Sequence, residues 1–437
     1  MNLEDFIREW QARPLPEFIN REGSIRIKGK LAPAVIGMRR SGKTWRLFQE
    51  MRDLAAGGVD PKSILYLNFD DDRLYSQNDV QKGEGLLDEF LETFFRINPG
   101  IRRKGAYFFL DEIQGIPGWA AFARRIIDTE NIKLYVSGSS AKLLSSEIAT
   151  EFRGRSFPFE LLPFSFREYL RYLKMDENPS PLDRSEYENA FLGYLSAGGF
   201  PEAFPQDDPQ IRAGLLQNYV DMVVLRDVLE RYGLSNVRGV RELTHALLAQ
   251  NGNLVSMKRL ADQLAARGLP MGRAMVSRIC THLEDSFLVF FVPLYAQSLQ
   301  KIRVNPQKVY AVDPGLSYAV SPSQSMNLGQ RFEQAVYLEL RRRYPLLRGT
   351  GISYYLTGDR QEVDFILGEA QFLVQACVSL KEEKTRRREL GALEKAMEEL
   401  GFKQGTIVTL HERETVKTSA GIIEAVPAWE WFLARNG

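Results

Sequence analysis

Cysteine and histidine, the side chains that most often bind zinc in proteins, are scarce in this sequence. The 437 residues include two cysteines, Cys280 and Cys377, which lie far apart and lack the spacing of a metal-ligand pair. The three histidines, His245, His282 and His411, leave little material for a histidine metal site or a catalytic triad. The scarcity argues against both kinds of chemistry, and the cysteine usage predicts a reducing cytoplasm.

A large excess of charge and a long apolar run are also missing. The formal net charge is +1, so nucleic acid or a membrane surface would have to be attracted by local patches. The longest apolar stretch, 287–294, contains Pro293 and is far too short to cross a bilayer. The first residues include Glu4 and Asp5, where a secretory signal would be basic. We therefore expect no membrane segment and a cytoplasmic location.

The sequence GMRRSGKT follows a short apolar stretch that is typical of the end of a buried strand. This is the P-loop pattern, in which two glycines let successive backbone N–H groups face phosphates and the next helix adds its positive end. The lysine would reach the β- and γ-phosphates, and the threonine would bind Mg²⁺. The motif predicts ATP and Mg²⁺ as ligands, with these nucleotide-binding residues: Gly37, Arg40, Ser41, Gly42, Lys43 and Thr44.

A second apolar run, 106–110, ends in Asp111 and Glu112. A buried parallel strand has this composition, and in doubly wound sheets ligands bind at the carboxyl ends of the strands. Asp111 would join the Mg²⁺ ligands, and Glu112 would polarise the water that attacks the γ-phosphate. The pair could instead cap a helix or turn. After a P-loop, the pattern favours the Walker B carboxylates of an ATPase.

A third strand-like run, 133–137, is followed by Gly138, Ser139 and Ser140. A small hydroxyl at this position could sense the γ-phosphate or hold the attacking water, and Ser139 is our candidate. The serines could equally cap the following helix, because serine is a preferred N-cap residue. The sequence leaves both interpretations open.

Further segments, added to these motifs, resemble the AAA+ ATPases of bacteria and archaea. They are the strand-like 65–71, FRGR at 152–155 and LPFSFREY at 162–169. More narrowly, the chain resembles members that carry a C-terminal domain of unknown function with a restriction-endonuclease-like outline. The resemblance implies an oligomer, for which a ring is one arrangement. In this oligomer Arg155 reaches the γ-phosphate bound by a neighbouring subunit, and Arg153 is the other candidate for this role. A surface ion pair is the alternative for both arginines.

The composition, 44% hydrophobic and 26% charged, predicts two to four globular domains. We expect an α/β fold in which a helical lid, indicated by the spacing of apolar residues, follows the nucleotide-binding core. Three short helical patterns and two strand-like runs then indicate a winged-helix module. The predicted domains are a P-loop AAA+ core with a parallel sheet (1–175), the lid (176–235), the winged helix (236–322) and a degenerate restriction-endonuclease-like α/β domain (323–437).

The winged-helix prediction makes DNA a candidate partner. The third helix would enter a groove with Arg273 and Arg278, and the wing would add Lys301 and Arg303. Such side chains would contact phosphates more than bases. Basic residues on an amphipathic helix are also common on a solvated face, and winged helices also bind proteins. A protein partner therefore stays open as well.

The C-terminal region resembles the restriction-endonuclease-like core, in which acidic residues and a Glu-x-Lys motif bind Mg²⁺ and activate water. Glu333 and Asp364 match the first two acidic positions. Gln375 stands where the other carboxylate belongs, and Cys377 stands where the lysine belongs. A neutral amide is a poor ligand for a hard dication, and cysteine cannot supply lysine's positive charge. We expect a vestigial site on a scaffold that binds DNA or a partner, with a metal-dependent nuclease as the lesser alternative.

The motifs together predict an enzyme, an oligomeric ATPase that binds and hydrolyses Mg-ATP and acts on nucleic acid or is docked to it. The alternative is a nucleotide-controlled switch or scaffold, in which ATP sets assembly or exposes a surface for a protein partner and turnover is slow. Both alternatives use the same site residues. They differ in whether nucleic acid accelerates hydrolysis.

Overall fold

The computed structural model describes residues 3–74, 83–139, 152, 154–320, 328–344 and 351–434. Two compact units divide the chain, unit 1 over 1–161 and unit 2 over 162–437. Ser140 and Arg153, which the sequence analysis named, lie outside the described residues. In the described ranges, no helix combines the length and apolar composition that a membrane crossing requires.

Unit 1 is built on a five-stranded parallel sheet with the order β2-β3-β4-β1-β5. Its strands are β1 (Ala32–Ile36), β2 (Ile64–Asn68), β3 (Ala106–Asp111), β4 (Ile132–Gly138) and β5 (Ser156–Glu160). Its helices are α1 (Leu3–Ala12), α2 (Lys43–Ala56), α3 (Gly83–Ile97), α4 (Ile101–Lys104) and α5 (Trp119–Thr129). The predicted α/β fold with a parallel central sheet is confirmed.

The apolar composition of these strands follows from their burial. Every residue of β1 is buried, and in β3 only Tyr107 is partly exposed. Strands of parallel sheets are covered on both faces and therefore read as continuous apolar runs. The parallel pairing places Ile36 beside Gly138, and Asp111 beside Asn68. The segments that follow β1, β3 and β4 therefore begin at one edge of the sheet, where ligands of such folds bind.

Unit 2 begins with a helical region and continues into three helices and a small sheet. Its first helices are α6 (Phe166–Tyr172), α7 (Arg184–Ala197), α8 (Pro209–Met222) and a π-helical segment (Val223–Glu230). Then follow α9 (Val237–Ala249), β6 (Leu254–Val255), α10 (Met257–Ala266), α11 (Arg273–Asp285), β7 (Val289–Val292), α12 (Leu299–Val304), β8 (Gln307–Ala311) and α13 (Pro314–Val320). The three strands pair antiparallel in the order β6-β8-β7.

The C-terminal part of unit 2 contains a six-stranded mixed sheet with the order β13-β14-β12-β11-β10-β9. The elements are α14 (Leu328–Arg343), β9 (Ile352–Leu356), β10 (Glu362–Leu367), β11 (Phe372–Cys377), α15 (Glu383–Leu400), β12 (Gln404–Thr409), β13 (Glu414–Lys417), β14 (Ile422–Pro427) and α16 (Ala428–Leu433). β11, β12 and β14 are parallel, and the other pairs are antiparallel. Leu393 and Met397 of α15 pack in a core with Ile407 and Ile423 of the sheet.

The LPFSFREY segment anchors the start of unit 2. Ser165 and Glu168 form a capping box at the first turn of α6, which satisfies two backbone N–H groups of the helix end. Arg167 Nη2 donates to Glu339 Oε1 at 3.0 Å, and Arg343 Nε donates to the same oxygen at 2.9 Å. Glu339 is fully buried, so these guanidinium groups balance its charge. The motif therefore has a packing role in unit 2.

A glycine pair in unit 2 lies against the buried carboxylate of Asp313. Gly199 donates its N–H to Asp313 Oδ2, and a Cβ on Gly199 would lie 2.6 Å from the carbonyl oxygen of Phe164. The other oxygen, Oδ1, accepts the N–H groups of Gly315 at 2.9 Å and Leu316 at 3.3 Å. Asp313 therefore holds the glycine turn to the first turn of α13 and caps that helix.

Candidate functional site

The P-loop joins β1 to α2 at the carboxyl edge of the sheet in unit 1. Gly42, with φ 95°, precedes Lys43, the first residue of α2. A Cβ on Gly37 would overlap the backbone carbonyl of Leu161, whose N–H donates to the Ile36 carbonyl at 2.7 Å. The first glycine of the motif is therefore required by the close approach of the chain after β5.

Other residues of the loop have the geometry of a phosphate cradle. Arg40 has φ 67° and Gly42 has φ 95°, so left-handed residues occur twice within three positions. Such conformations turn backbone N–H groups toward a common point, where they attract an anion. The hydroxyl of Ser41 is buried and has no hydrogen-bond partner in the described part of the chain. A phosphate oxygen would supply the partner that this hydroxyl lacks.

Asp111 is the centre of the hydrogen-bond network beside the P-loop. Its Oδ2 accepts the hydroxyl of Thr44 at 2.6 Å and that of Tyr66 at 2.7 Å, and its Oδ1 accepts the hydroxyl of Ser137. Burial raises the pKa of Asp111 and the Glu112 charge adds to the shift, whereas the three hydroxyl donors lower it. The structure therefore brings together Thr44 and Asp111, the two predicted metal ligands.

Glu112 forms an ion pair with the P-loop lysine. Lys43 Nζ lies 3.1 Å from Glu112 Oε1, and Gln114 Nε2 donates to Glu112 Oε2 at 2.6 Å. Burial alone would raise the pKa of Glu112, but Lys43 and the Gln114 hydrogen bond outweigh it and lower the pKa to about 2. The backbone of Glu112 is left-handed, with φ 52°, which is uncommon for a residue other than glycine. The carboxylate is therefore charged at neutral pH and lies next to the P-loop.

Ser139 and Arg155 lie in different places relative to this network. Ser139 is buried and directly follows β4, at the same edge of the sheet as the P-loop. Arg155 lies at the amino end of β5, which runs parallel to β1, and therefore at the opposite edge from the P-loop. Its Nε donates to Asp128 Oδ1 at 2.9 Å. The structure thus does not bring Arg155 to the P-loop of its own chain.

Several side chains of this site were not predicted from the sequence. Tyr66 and Gln114 contact the two acidic residues directly. Arg21 Nη1 donates to the Ser41 carbonyl at 2.5 Å, and the Arg21 backbone exchanges two hydrogen bonds with the side chain of Gln49. The position of Tyr66 within the strand next to β3 could have indicated its contact. Arg21 has no such signal, because it precedes the P-loop in a segment without regular structure.

A second cluster, the Lys308 cluster, lies in unit 2 and contains two residues that the sequence analysis assigned to a vestigial nuclease site. Lys308 Nζ lies 2.8 Å from Glu333 Oε1, 2.7 Å from Glu362 Oε1 and 3.0 Å from Asp364 Oδ1. Lys308, on β8, is 2% exposed. Glu333 and Asp364, which were predicted from the sequence, therefore both contact Lys308. Neither Lys308 nor Glu362 was predicted.

Gln375 borders this cluster, and Cys377 lies two residues further along β11. Gln375 Oε1 accepts the backbone N–H of Asp364 at 3.1 Å, and its Nε2 donates to Glu389 Oε2 at 2.6 Å. Cys377 Sγ donates to the Ser379 carbonyl at 3.2 Å, and burial raises the pKa of this thiol to about 11. The thiol is therefore neutral at physiological pH. Across the described residues, no group of three or more histidine, cysteine, aspartate or glutamate side chains is arranged to hold a metal ion.

The charged groups of the Lys308 cluster shift one another's pKa values. Burial lowers the pKa of Lys308, but the surrounding carboxylates, Asp364 first, outweigh burial and leave the pKa well above its ordinary value. Burial raises the pKa of Glu333, and the Asp364 charge adds to this, while Lys308 and the Tyr310 hydroxyl oppose it. One ammonium group thus balances part of the charge of its carboxyl neighbours.

Comparisons with known proteins divide the chain into three matched segments. Residues 30–170 match the family described as AAA domain, 188–327 match a domain of unknown function (DUF8612) and 328–431 match another (DUF4143). An uncharacterized protein of Methanocaldococcus jannaschii is 31% identical over 424 residues, 95% of this chain and 91% of that protein. An uncharacterized protein of Haemophilus influenzae is 28% identical over 349 residues, 79% of this chain and 82% of that protein. The match with the solved structure of a Walker-type ATPase of Pyrococcus abyssi covers 67% of this chain and 91% of that chain, with 15% identity and a TM-score of 0.41.

Proposed function

Because the chain belongs to the family of the uncharacterized Methanocaldococcus jannaschii protein and matches the AAA domain, we propose that it binds and hydrolyses Mg-ATP. The observation that carries the proposal is the contact of Thr44 with Asp111 next to the ion pair of Lys43 with Glu112. These side chains belong to the P-loop and to the end of a neighbouring parallel strand. Phosphate-binding loops and a metal-binding carboxylate are combined in this way in P-loop ATPases.

The oxygen atoms of Thr44 and Asp111 fit a magnesium ion, because hard dications prefer oxygen ligands. When bound, the ion would neutralise phosphate charge during transfer of the γ-phosphoryl group. The phosphates would attract Lys43 and weaken its ion pair with Glu112. Loss of that nearby positive charge would raise the pKa of Glu112 and make it a better base for the attacking water. Nucleotide binding and activation of the base are therefore coupled through one lysine.

The direct test is steady-state ATP hydrolysis by the full chain with Mg²⁺. Lys43→Ala is expected to lower turnover at least about 30-fold, because a hydrogen bond to a charged group contributes about 2 kcal/mol. Lys62→Ala, which changes an exposed lysine of the same unit, serves as the control and should leave turnover unchanged. Equal ATP affinity and turnover in Lys43→Ala and the unaltered chain would contradict the proposal.

The oligomer proposal assigns Arg155 to the γ-phosphate of a neighbouring subunit. Its position at the edge of the sheet opposite its own P-loop supports a role in trans, and its planar charged fork suits a phosphate. Arg155→Ala is expected to lower turnover at least about 30-fold, by the same loss of a charge-assisted contact. Mixing it with inactive Lys43→Ala should restore part of the activity, since mixed oligomers contain sites with an intact P-loop and an intact neighbour.

The control for this experiment is Arg102→Ala, which removes an arginine that is also paired to carboxylates on unit 1. Activity should persist in that variant. A fully active monomer at micromolar concentration, or mixtures without recovered activity, would remove the role in trans.

Nucleic acid is the proposed partner of the region 236–322. The three helices α9–α11 and the antiparallel sheet β6-β8-β7 support a winged-helix module. The four basic side chains that the sequence predicted as phosphate contacts are all exposed: Arg273, Arg278, Lys301 and Arg303. Exposed basic side chains can contact phosphates without a large net charge on the chain.

The ATPase assay also separates an ATPase that acts on nucleic acid from a switch. Single-stranded, duplex and branched DNA are added in turn, with Lys43→Ala as the blank. Strong stimulation by one form supports an enzyme that acts on nucleic acid and identifies its substrate class. An ATP turnover rate that none of these forms of DNA changes favours a nucleotide-controlled switch with a protein partner.

A further inference from the structure

The two carboxylates that resemble the remnant of a nuclease metal site, together with a third one, already surround a positive charge. Lys308 Nζ lies 2.8 Å from Glu333, 2.7 Å from Glu362 and 3.0 Å from Asp364. An ammonium group has three N–H donors, and the three carboxylate oxygens match them in number and distance. The cluster is therefore a complete cation-binding arrangement whose cation is part of the chain.

We infer that the ammonium group of Lys308 takes the place of the divalent cation that the nuclease resemblance implies. The negative charge of the buried carboxylates is then balanced by a side chain of the protein, and this part of unit 2 acts as a scaffold. A metal ion does not fit beside the lysine. Its position would coincide with that of Nζ, and the carboxylate oxygens that it needs already accept hydrogen bonds from Lys308.

The neighbouring oxygen atoms are used as well. Asp364 Oδ2 accepts the backbone N–H of Ala376 at 2.9 Å, and Glu333 Oε1 also accepts the Tyr310 hydroxyl at 2.6 Å. The amide oxygen of Gln375 accepts the N–H of Asp364. Oxygen atoms that a dication would need are thus already engaged in hydrogen bonds to protein donors.

The backbone holds Lys308 in this position. Lys308 lies on β8, the middle strand of its sheet, and pairs with Leu254 on one side and Val292 on the other. Removing an ammonium group from buried carboxylates leaves uncompensated charges, which is strongly unfavourable. Lys308 is therefore a built-in counter-ion and does not exchange as a dissolved ion does.

Solvent can still reach this cluster. A cleft of about 810 Å³ is lined in part by Lys308 and Glu362, together with Arg259 and Arg267. An ion from solution therefore has a route to the carboxylates once the ammonium group is gone. Lys308→Met removes the charge, and its flexible side chain ends one atom short of the Nζ position. It can turn away from the carboxylates, so the cluster should become a site for a divalent cation.

The experiment measures thermal unfolding of the full chain, without nucleotide, in the absence and presence of millimolar Mn²⁺. Mn²⁺ is expected to raise the melting temperature of Lys308→Met by about 5 °C, because it binds the folded state alone. The unaltered chain should gain no such shift. The double variant Lys308→Met with Asp364→Asn should lose the gain, which separates this cluster from any Mn²⁺ at the P-loop.

Three results would overturn the inference. One is binding of Mn²⁺ to the unaltered chain that Asp364→Asn abolishes, since the lysine would then not exclude the ion. Another is a Lys308→Met variant that folds but whose melting temperature Mn²⁺ does not raise. If Lys308→Met does not fold, the double variant should recover folding because one repelling carboxylate is gone, and failure of that recovery also contradicts the inference. These measurements involve no nucleotide and remain valid if the ATPase proposal fails.

Discussion

Glu112→Gln is expected to lower ATP turnover by about 10²- to 10⁴-fold, the usual contribution of a positioned general base. The amide has nearly the same size as the carboxylate but cannot accept a proton from water. Glu112 lies beside Lys43 at the edge of the sheet where phosphates are expected, which places it near the reacting atoms. ATP affinity should be kept or increased, because the variant removes the carboxylate that competes with the phosphates for Lys43.

Single-turnover hydrolysis of ATP measures the chemical step of this variant, and a fluorescent ATP analogue measures binding separately. Glu89→Gln, an exposed glutamate of unit 1, is the matched control and should behave as the unaltered chain does. Unchanged turnover in Glu112→Gln would assign the base to another residue. A variant that binds ATP tightly and still engages its partner would favour the switch, whereas one that arrests all activity would favour an enzyme whose work requires hydrolysis.

Asp313→Ala is expected to lower the free energy of unfolding of unit 2 by about 3 kcal/mol, within a range of roughly 2–5 kcal/mol. The carboxylate is 1% exposed and accepts backbone N–H groups from Gly199, Gly315 and Leu316. Alanine would leave these donors buried without partners, and each such group is costly. Urea unfolding followed by far-ultraviolet circular dichroism measures the change. Asp207→Ala, an exposed aspartate of the same unit, should change it by less than about 0.5 kcal/mol.

The titration of the Asp313 carboxyl group also makes the free energy of unfolding depend on pH. Burial raises the pKa of Asp313 from 3.8 to about 6, although the backbone N–H groups oppose the shift. Between these two values the folded state binds more protons than the unfolded state, so this group makes stability fall as pH rises from about 4 to about 6. Above that window its contribution is constant. Asp313→Asn should lack this slope, and an unchanged slope would assign the titration elsewhere.

Local sequence was sufficient to predict the proposed nucleotide site because most of its residues are adjacent in the chain. The segment from Gly37 to Thr44 contains the turn glycines, the lysine and the hydroxyl within one loop and one helix start. The apolar run before Asp111 indicates a buried parallel strand, and the edge at which such strands end is known from the topology alone. The contact of Thr44 with Asp111 across 67 residues could therefore be predicted.

Side chains that arrive from other segments could not be found in this way. Tyr66 reaches Asp111 because β2 pairs with β3 in one particular register, and Arg21 supports the P-loop from an irregular segment. The register of strand pairing and the path of a loop depend on how whole elements pack, and neither can be predicted from a single motif. The sequence named the residues of the proposed phosphate site but not the side chains that hold those residues in place.

By itself, the amino-acid sequence determined the P-loop, the acidic pair after β3 and the expected parallel sheet, since each rests on contiguous residues or on the apolar character of one strand. The tertiary structure alone decided what occupies the acidic cluster of unit 2. Lys308 is separated by 25 residues from Glu333 and by 56 residues from Asp364, and it belongs to a different sheet from Asp364. The missing lysine at Cys377 was visible in the sequence, but a cation supplied from another strand became visible only when packing brought these segments together.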